Sequence, residues 1–214
     1  MDFKGALSGL KILAVTQAYA GPFAAQMLAD HGADVVKIEG PEGDPGRLVT
    51  PFPADDKDRF FGALFQNSHR NQRAIVIDFK TEEGRETFLK LVETADAVIE
   101  NFRFGVMERL GLGYEVLKAR NPKLVYTSIR GFGDTSGGLS PYAPYPTVDV
   151  IAQAMGGRAV ERQQAQRRGI AVSGRVQRRG RGARNQIIGQ FDHQVMILGR
   201  NTQHVADDAD RYRL

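Results

Sequence analysis

The sequence predicts an α/β fold built on a doubly wound, mostly parallel sheet. Apolar segments rich in β-branched residues alternate with segments of helical period along residues 11–155. The chain also opens with a strand, a helix and a second strand within residues 11–39, and such βαβ units place their strands parallel. These two observations favour helices on both faces of one sheet.

The first half of the chain gives three strands. Residues 11–16 form an apolar strand, Pro22 lies in the first turn of a helix that Gly32 ends, and residues 33–39 form the second strand. Residues 40–58 are rich in Pro, Gly and Asp, and predict a long loop. An aromatic segment and a polar turn follow, and residues 74–79 form the third strand.

The next elements repeat this alternation. Thr81 is the expected N-cap of a helix whose first turn carries two glutamates, which the helix dipole favours. Residues 96–100 form the fourth strand, and two short helices lead to a fifth strand at residues 124–129. A Gly/Ser/Pro loop then precedes a helix predicted over residues 147–155.

Composition excludes several classes of protein. The chain has no cysteine, which rules out a disulfide framework, a thiolate nucleophile and cysteine metal sites, and suits a reducing cytoplasm. No apolar run approaches the roughly 18 to 20 residues of a membrane span, and the N-terminus lacks the pattern of a signal peptide. The four histidines show no ligand spacing. We therefore expect a cytoplasmic protein without a metal and without a membrane partner.

The chain divides into two parts of unlike charge. Residues 1–157 hold 17 basic and 20 acidic residues, whereas residues 158–214 hold 12 arginines, no lysine and five acids. Neither the strand period nor the helix period can be traced through residues 158–184, and the later apolar residues, Ile187, Ile188 and residues 195–198, are too few to finish a sheet. We predict a domain over residues 1–157 and an unrelated Arg/Gln-rich tail over residues 158–214.

Three explanations of the tail remain open. Its arginine clusters could form a nucleic-acid-binding arm, but no aromatic residue for base stacking occurs in it before Phe191. Its composition also allows a disordered extension. Loss of lysine, gain of Arg and Gln, and loss of periodicity at one position favour a third explanation, a change of reading frame near Gly157. A nucleic-acid partner is accordingly disfavoured.

Two segments are candidate ligand sites. The strand that ends in Glu100-Asn101-Phe102-Arg103 places polar and aromatic side chains at the carboxyl edge of the sheet, where open α/β sheets bind ligands. The turn between the first strand and the first helix, residues 16–22, lacks the G-x-G-x-x-G pattern. Dinucleotide binding of the usual kind is therefore disfavoured, although Glu39 ends the second strand.

An ordered set of motifs in residues 1–157 resembles the family III CoA-transferases. The motifs are Leu7-Ser-Gly-Leu-Lys-Ile-Leu, Ala20-Gly-Pro, residues 28–39, Gly43-Asp-Pro, residues 71–78, Glu100-Asn-Phe, residues 110–114, Asn121-Pro, Ser128-Ile-Arg-Gly-Phe-Gly, and Asp149 with residues 152–157. The resemblance covers about three-quarters of the chain. It implies an incomplete, Rossmann-like large domain of an enzyme that moves CoA between carboxylic acids. It also implies a homodimer of two interlocked rings.

The resemblance further implies where coenzyme A binds. The matching contacts are Tyr19, Ala20, Ile77, Asp78, Phe79, Lys80, Asn101, Phe102, Arg103 and Arg109. CoA carries a diphosphate and a 3′-phosphate, and lysine and arginine side chains bind phosphate. An aromatic edge such as Tyr19 or Phe102 can pack on the adenine or the pantetheine arm. Family members often have a basic residue after the second strand, where this chain has Gly40.

The same resemblance implies covalent catalysis by an aspartate some 20 residues beyond a Gly-Gly pair. That place falls near Gln177 and Arg178, and no aspartate occurs between Asp149 and Asp192. We therefore assign no catalytic residue. The related 2-methylacyl-CoA racemases need a histidine before the residue matching Asp149, where this chain has Val148. Asp149 is better interpreted as a helix cap or core-edge residue.

The sequence therefore predicts the N-terminal portion of a CoA-transferase. The ancestral reaction would move CoA from an acyl-CoA to a free carboxylic acid through an aspartyl intermediate, and we expect this truncated chain to be inactive. The alternatives are a non-catalytic α/β binding module with a basic, nucleic-acid-binding tail, and a relative of the racemases.

Overall fold

The computed structural model of the chain describes residues 5–133 and 140–155, and the backbone of residues 195–198. It contains two compact units, one of Met1–Ile129 with Val195–Leu214 and one of Arg130–Gln194. Residues on both sides of the predicted boundary at position 157 lie outside the described part, as does most of the tail. The boundary and the three explanations of the tail remain predictions.

The first unit is built on a six-stranded sheet in the order β3-β2-β1-β4-β5-β6. Strands β1 to β5 are parallel, and β6 pairs antiparallel with β5. The strands are β1 Lys11–Val15, β2 Asp34–Glu39, β3 Arg73–Val76, β4 Ala97–Glu100, β5 Val125–Ile129 and β6 Val195–Leu198. Strand β1 lies between β2 and β4. The chain therefore adds strands on one side of β1 first and then on the other side, as in doubly wound folds. The predicted fold class is confirmed.

Helices cover both faces of this sheet. They are α1 Ala20–Asp30, α2 Ala63–Ser68, α3 Glu82–Val92, α4 Val106–Arg109 and α5 Tyr114–Arg120. A 3-10 turn, Pro45–Leu48, lies between β2 and α2. Thr81 caps α3 as predicted, since its hydroxyl oxygen accepts a hydrogen bond from the Gly84 N–H at 3.0 Å.

The alternation of side chains along the strands divides the core into two clusters. Leu13 and Val15 of β1 pack with residues of α3, α4 and α5, including Phe88 and Met107. Ile12 and Ala14, which point the other way, pack with small residues of α1 such as Ala25 and Ala29. The sheet therefore has a large apolar core on one face and a thinner one under α1.

Four elements differ from the sequence prediction. Helix α2 and the 3-10 turn were not predicted, because six- and four-residue elements are too short to show a period. Strand β3 ends at Val76, three residues before the predicted end. Residues 195–198, which the sequence does not predict as a strand, form its edge strand β6. A four-residue edge strand needs only backbone hydrogen bonds, which composition does not reveal.

The described part of the second unit carries helix α6, Asp149–Met155, and a group of aromatic rings. The rings of Phe132 and Tyr142 lie 5.7 Å apart, and those of Tyr142 and Tyr145 lie 6.5 Å apart. Asp149 is exposed in the first turn of α6, and its carboxylate accepts a hydrogen bond from the Gln153 side chain. This position agrees with a role at the start of the helix.

The described residues form neither a membrane span nor a cluster of metal ligands. No helix there combines the length and the hydropathy that a bilayer span requires. Within the same residues, no three His, Cys, Asp or Glu side chains converge in a way that could hold a metal ion.

Candidate functional site

The carboxyl edge of the sheet brings together two of the predicted contact segments. The turn after β1, residues 16–19, and the turn after β4, residues 101–105, lie side by side because β1 and β4 are neighbours in parallel register. Val15 pairs with Glu100 at the ends of the two strands. Ligands of open α/β sheets bind at this edge, next to the central strand where the order reverses.

Asn101 joins these two turns through a pair of hydrogen bonds. Its side-chain oxygen accepts from the backbone N–H of Gln17 at 2.8 Å, and its side-chain nitrogen donates to the Gln17 carbonyl at 2.9 Å. An amide side chain donates from its nitrogen and accepts at its oxygen, so it can bind both groups of one peptide unit or residue at once. Asn101 therefore fixes the position of the β1–α1 turn as well as that of its own turn.

Gly21 allows this close approach. A Cβ atom at this position would lie 2.8 Å from the Asn101 Cγ and 2.7 Å from the Thr16 Cβ. Such distances are shorter than real Cβ contacts, so the packing of α1 against both turns requires a glycine here.

Tyr19 and Ala20 follow at the start of α1. Tyr19 precedes the first helical residue, Ala20, and its ring is 46% exposed while it stacks on Phe23 at 5.6 Å. The exposed part of the Tyr19 side chain lies at the sheet edge, and its packing on a ring or an aliphatic arm of a ligand stays a prediction.

The turn after β4 presents Phe102 and Arg103. The Phe102 N–H donates to the carboxylate of Glu100 at 2.9 Å, and the Tyr126 hydroxyl donates to the same carboxylate at 3.1 Å. Glu100 is fully buried, and its carboxylate holds the turn through the Phe102 N–H. Arg103, in the same turn, is exposed. The Arg109 guanidinium lies over Gly105, where an added Cβ would be 2.9 Å from one of its nitrogens.

The predicted contacts after β3 form a separate group. Ile77 is buried and donates its N–H to the Glu39 carbonyl at 2.9 Å, while Asp78 accepts from the Lys80 N–H at 2.9 Å. The Phe79 ring packs edge-on against Phe88 at 5.1 Å. Lys80 is exposed at the end of this turn.

The turn after β3 lies at the same edge of the sheet as the turns after β1 and β4, but it is not adjacent to them. Strand β3 is separated from β1 by β2, which corresponds to about 10 Å across the sheet. Phe79 and Phe102 nevertheless pack against the same apolar cluster, beside α3 and α4. A ligand that reached both groups would have to be extended, as a coenzyme with a long arm is.

Three of the predicted cations lack a carboxylate partner in the part of the chain that the structure describes. Within residues 5–133 and 140–155, no carboxylate forms an ion pair with Lys80, Arg103 or Arg109. Other exposed arginines of this unit do form such pairs, as Arg73 does with Asp34 at 2.7 Å. Unpaired cations at a sheet edge favour an anionic ligand.

A buried polar cluster beneath the β1–α1 turn was not predicted from the sequence. Lys37, in the middle of β2, donates to the Asp44 carboxylate at 2.7 Å and to the Thr16 carbonyl at 2.8 Å. The other Asp44 oxygen accepts from the N–H groups of Ala18 and Gly46 at 3.0 and 2.7 Å. The available signal was a lysine inside an apolar strand, which must have a buried partner.

Glu39 and Arg47 extend this cluster. Arg47 donates two hydrogen bonds to the Glu39 carboxylate, at 2.8 and 2.7 Å, and Glu39 also accepts from the Asp44 N–H. The Arg47 guanidinium lies 3.6 Å from the ring centre of Phe65. The segment predicted as a loop is therefore ordered by a bidentate ion pair that stacks on an aromatic ring.

The ion pairs shift the acid–base properties of the cluster. Burial opposes ionisation of Asp44, but hydrogen bonds from His69 and Lys37 outweigh it and hold the pKa of Asp44 far below its ordinary value. The pKa of Glu39 is likewise lowered, because Arg47 outweighs the effect of burial. Burial lowers the pKa of Lys37, against the opposing effect of Asp44.

These shifts predict a loss of stability in acid. The unfolded chain takes up protons near the ordinary pKa values of 3.8 and 4.5, whereas the folded chain resists protonation of Asp44 and Glu39. The two carboxyls therefore contribute fully to the free energy of unfolding above about pH 5. This contribution falls as the pH drops, by up to about 1.4 kcal/mol per pH unit for each carboxyl. Urea unfolding followed by circular dichroism between pH 6 and pH 2.5 measures this slope.

The variant Asp44→Asn is the control for that measurement. It removes one of the two titrating carboxyls, so the slope of unfolding free energy against pH should fall by about 1.4 kcal/mol per pH unit. An unchanged slope in Asp44→Asn would show that Asp44 is not the group that resists protonation.

An open depression elsewhere on the first unit does not suit a phosphate-bearing ligand. Its volume is about 520 Å³, and three of its lining residues are the glutamates Glu82, Glu83 and Glu86. Carboxylates repel phosphate groups, so the sheet edge with its unpaired cations is the better candidate site.

Comparison with known proteins identifies the family. A family model for CoA-transferase family III matches residues 7–175. The chain is 49% identical over 153 residues to a succinyl-CoA:mesaconate CoA-transferase from Haloarcula hispanica, a match that covers 72% of this chain and 39% of the relative. It is 45% identical over 157 residues to a succinate–glutarate CoA-transferase from Agrobacterium fabrum, covering 72% and 38%.

Solved structures agree with these relatives. A CAIB/BAIF family protein from Brucella suis is 45% identical, with a TM-score of 0.66, and the match covers 72% of this chain and 40% of that one. Rv3272 from Mycobacterium tuberculosis is 37% identical, with a TM-score of 0.61. The chain spans about two-fifths of the length of the relatives it matches. The family match covers most of the chain, and the chain belongs to CoA-transferase family III.

Proposed function

We propose that the carboxyl edge of this sheet binds the CoA part of an acyl-CoA substrate in a transferase that moves CoA to a free carboxylic acid. Membership of CoA-transferase family III supports the reaction class. The observation that carries the location is the Asn101–Gln17 pair, which joins the β1–α1 turn to the turn of Phe102 and Arg103. Both turns belong to the contact set that the family resemblance implies.

The chemistry of the edge fits the chemistry of CoA. Arg103 and Arg109 follow β4 and Lys80 follows β3, and these three cations have no carboxylate partner among the described residues. They are available to the diphosphate and the 3′-phosphate, with which lysine and arginine form charge-assisted hydrogen bonds. The exposed face of Tyr19 and the half-buried ring of Phe102 provide apolar surface for the adenine or the pantetheine arm.

The transfer itself proceeds through a carboxylate nucleophile in our proposal. An aspartate attacks the thioester carbonyl, CoA thiolate leaves, and a mixed anhydride forms. The thiolate then attacks the aspartyl carbonyl, which releases the donor acid and leaves an aspartyl-CoA thioester. The acceptor carboxylate then attacks this thioester and expels the thiolate, which gives a second mixed anhydride. The thiolate attacks the acceptor carbonyl of that anhydride, which forms the new CoA thioester and releases the aspartate. This chain has no aspartate between Asp149 and Asp192, so we expect it to bind CoA without turnover.

Dicarboxylic acids are the acid class we propose for the transfer. Two relatives that are at least 45% identical over this portion are named for succinyl-CoA and mesaconate, and for succinate and glutarate. The homodimer that the family resemblance implies is part of the same proposal.

The first test is CoA binding by isothermal titration calorimetry at low ionic strength. Arg103→Ala and Lys80→Ala should each weaken CoA binding by about five- to tenfold, because a charge-assisted hydrogen bond to phosphate contributes about 1–1.5 kcal/mol. Raising the salt concentration should weaken CoA binding by the unchanged chain. It should also reduce the difference in CoA affinity between the unchanged chain and each variant.

Lys123→Ala is the matched control. Lys123 is an exposed cation that lies just before β5, at the opposite edge of the sheet. Its removal should leave CoA affinity within about twofold when the titration is repeated at about 0.1 M salt, because the Debye length is then roughly 10 Å and the five residues of β5 span roughly 16 Å between Lys123 and the proposed edge. Equal losses in Lys123→Ala and Arg103→Ala would indicate general charge attraction, and no binding by the unchanged chain would overturn the proposed function.

A further inference from the structure

The β1–α1 turn adopts a conformation that its own sequence does not favour. Ala18 has a φ of 64°, in the left-handed region that non-glycine residues rarely occupy. It lies immediately before Tyr19, the predicted aromatic contact of the coenzyme. Something outside the turn must therefore hold Ala18 in this conformation.

Asp44 supplies that restraint. One oxygen of its carboxylate accepts from the Ala18 N–H at 3.0 Å and from the Gly46 N–H at 2.7 Å. The other oxygen accepts from the Lys37 ammonium, which also donates to the carbonyl of Thr16, two residues before Ala18. The Asp44–Lys37 pair thus holds the turn at two points: Asp44 accepts from the Ala18 N–H, and Lys37 donates to the Thr16 carbonyl.

We propose that Asp44 is a positioning residue for coenzyme A. It stabilises the left-handed conformation of Ala18, and this conformation determines where Tyr19 and Ala20 contact the ligand. The inference rests on the proposed function, since it concerns the same sheet edge. Asp44 itself is buried and does not need to touch the coenzyme.

The surroundings of Asp44 make it rigid enough for this role. Asp44 is the N-cap of the 3-10 turn Pro45–Leu48, and its own N–H donates to Glu39. His69 at the end of α2 places its Nε2 atom 3.4 Å from the Asp44 carboxylate, while its Nδ1 atom lies 2.8 Å from the Phe65 carbonyl. The carboxylate is thus held from β2, from the 3-10 turn and from α2, and its position is not free to follow the β1–α1 turn.

Two double variants separate this role from the buried charge pair. Lys37→Met/Asp44→Asn removes both charges and keeps a side-chain oxygen at the position that accepts from Ala18. Lys37→Met/Asp44→Ala removes both charges and the acceptor as well. The two variants share the Lys37→Met change, so they differ only at residue 44.

The proposal predicts a difference in CoA affinity between these variants. Lys37→Met/Asp44→Asn should bind CoA within about threefold of the unchanged chain, whereas Lys37→Met/Asp44→Ala should bind at least about tenfold more weakly, as expected for one lost hydrogen bond. Nuclear magnetic resonance of the Ala18 amide should show a protected, downfield N–H only where residue 44 retains an acceptor that reaches it.

A third variant covers the case in which the alanine variant does not fold. Lys37→Met/Asp44→Ser keeps a hydroxyl that can cap the 3-10 turn at Gly46 but is too short to reach Ala18 as well. It should bind CoA as weakly as the alanine variant while retaining the folded spectrum.

The outcomes distinguish this inference from the proposed function. Equal CoA affinity in the asparagine variant and in the folded alanine or serine variant would overturn the positioning role and leave the proposed function standing. Loss of affinity in the asparagine variant, with the Ala18 amide unchanged, would also overturn it. Absence of CoA binding by the unchanged chain would overturn the proposed function and this inference together.

Discussion

Replacing Asp44 by alanine is expected to lower the free energy of unfolding by about 3–5 kcal/mol, because it leaves the Lys37 ammonium buried without its counter-ion. Lys37 and Asp44 are each 1% exposed in their side chains, and their atoms lie 2.7 Å apart. The N–H groups of Ala18 and Gly46 lose their acceptor in the same variant. The effect is large because the buried Lys37 charge keeps only the Thr16 carbonyl as a partner, while the buried Gly46 N–H loses its acceptor.

Two further variants test this explanation. Lys37→Met/Asp44→Ala should be more stable than Asp44→Ala alone, since an apolar side chain in place of the lysine removes the uncompensated charge. Asp44→Asn should lie between the unchanged chain and Asp44→Ala, because its side-chain oxygen still accepts from the turn. Urea unfolding monitored by circular dichroism measures all three. A loss below about 1 kcal/mol in Asp44→Ala would contradict a buried, paired lysine.

Strands β1 to β5 and the helices other than α2 were predictable because their signals are local. Strands β1 and β2 and helix α1 show their periods within a dozen residues, and Thr81 with its two glutamates marks the start of α3 directly. The polar turn after β4 was also predicted, because an apolar strand that ends in Asn101 and Arg103 points to the edge of a sheet. The predicted CoA contacts themselves remain a proposal.

The buried cluster was not predictable in the same way because its members come from separate segments. Lys37, Asp44 and His69 lie on β2, in the following loop and after α2. His69 was considered only as a metal ligand, whereas the structure makes it a neighbour of a carboxylate. Sequence periodicity indicates which face of an element is buried, but it does not indicate which buried polar groups will meet.

The edge strand β6 illustrates a second limit. Residues 195–198 follow a long segment in which no period can be traced, and four apolar residues alone do not indicate a strand. Their pairing with β5 depends on the free edge that β5 offers, which is a property of the folded sheet.

Gly21→Ala is expected to destabilise the chain by about 2–3 kcal/mol, in the upper range for overpacking of a close contact. An added Cβ would lie 2.7 Å from the Thr16 Cβ and 2.8 Å from the Asn101 Cγ, so one of these side chains must move. Thr16 is buried at the end of β1, and Asn101 is held by its two hydrogen bonds to Gln17. We expect Asn101 to be displaced, which would weaken CoA binding as well as stability.

A double-mutant cycle with Asn101→Ala shows whether the added methyl group of Gly21→Ala displaces the Asn101 side chain. Gly21→Ala should cost at least about 1 kcal/mol less in the Asn101→Ala background, because the Cγ atom that the new methyl group meets is absent. Gly40→Ala is the matched control, since a Cβ there meets no atom within 4 Å, and it should leave stability and CoA affinity nearly unchanged. Additive losses in the cycle would mean that Thr16, and not Asn101, takes up the strain. The close packing of α1 would then act on the strand end rather than on the turn that carries Phe102 and Arg103.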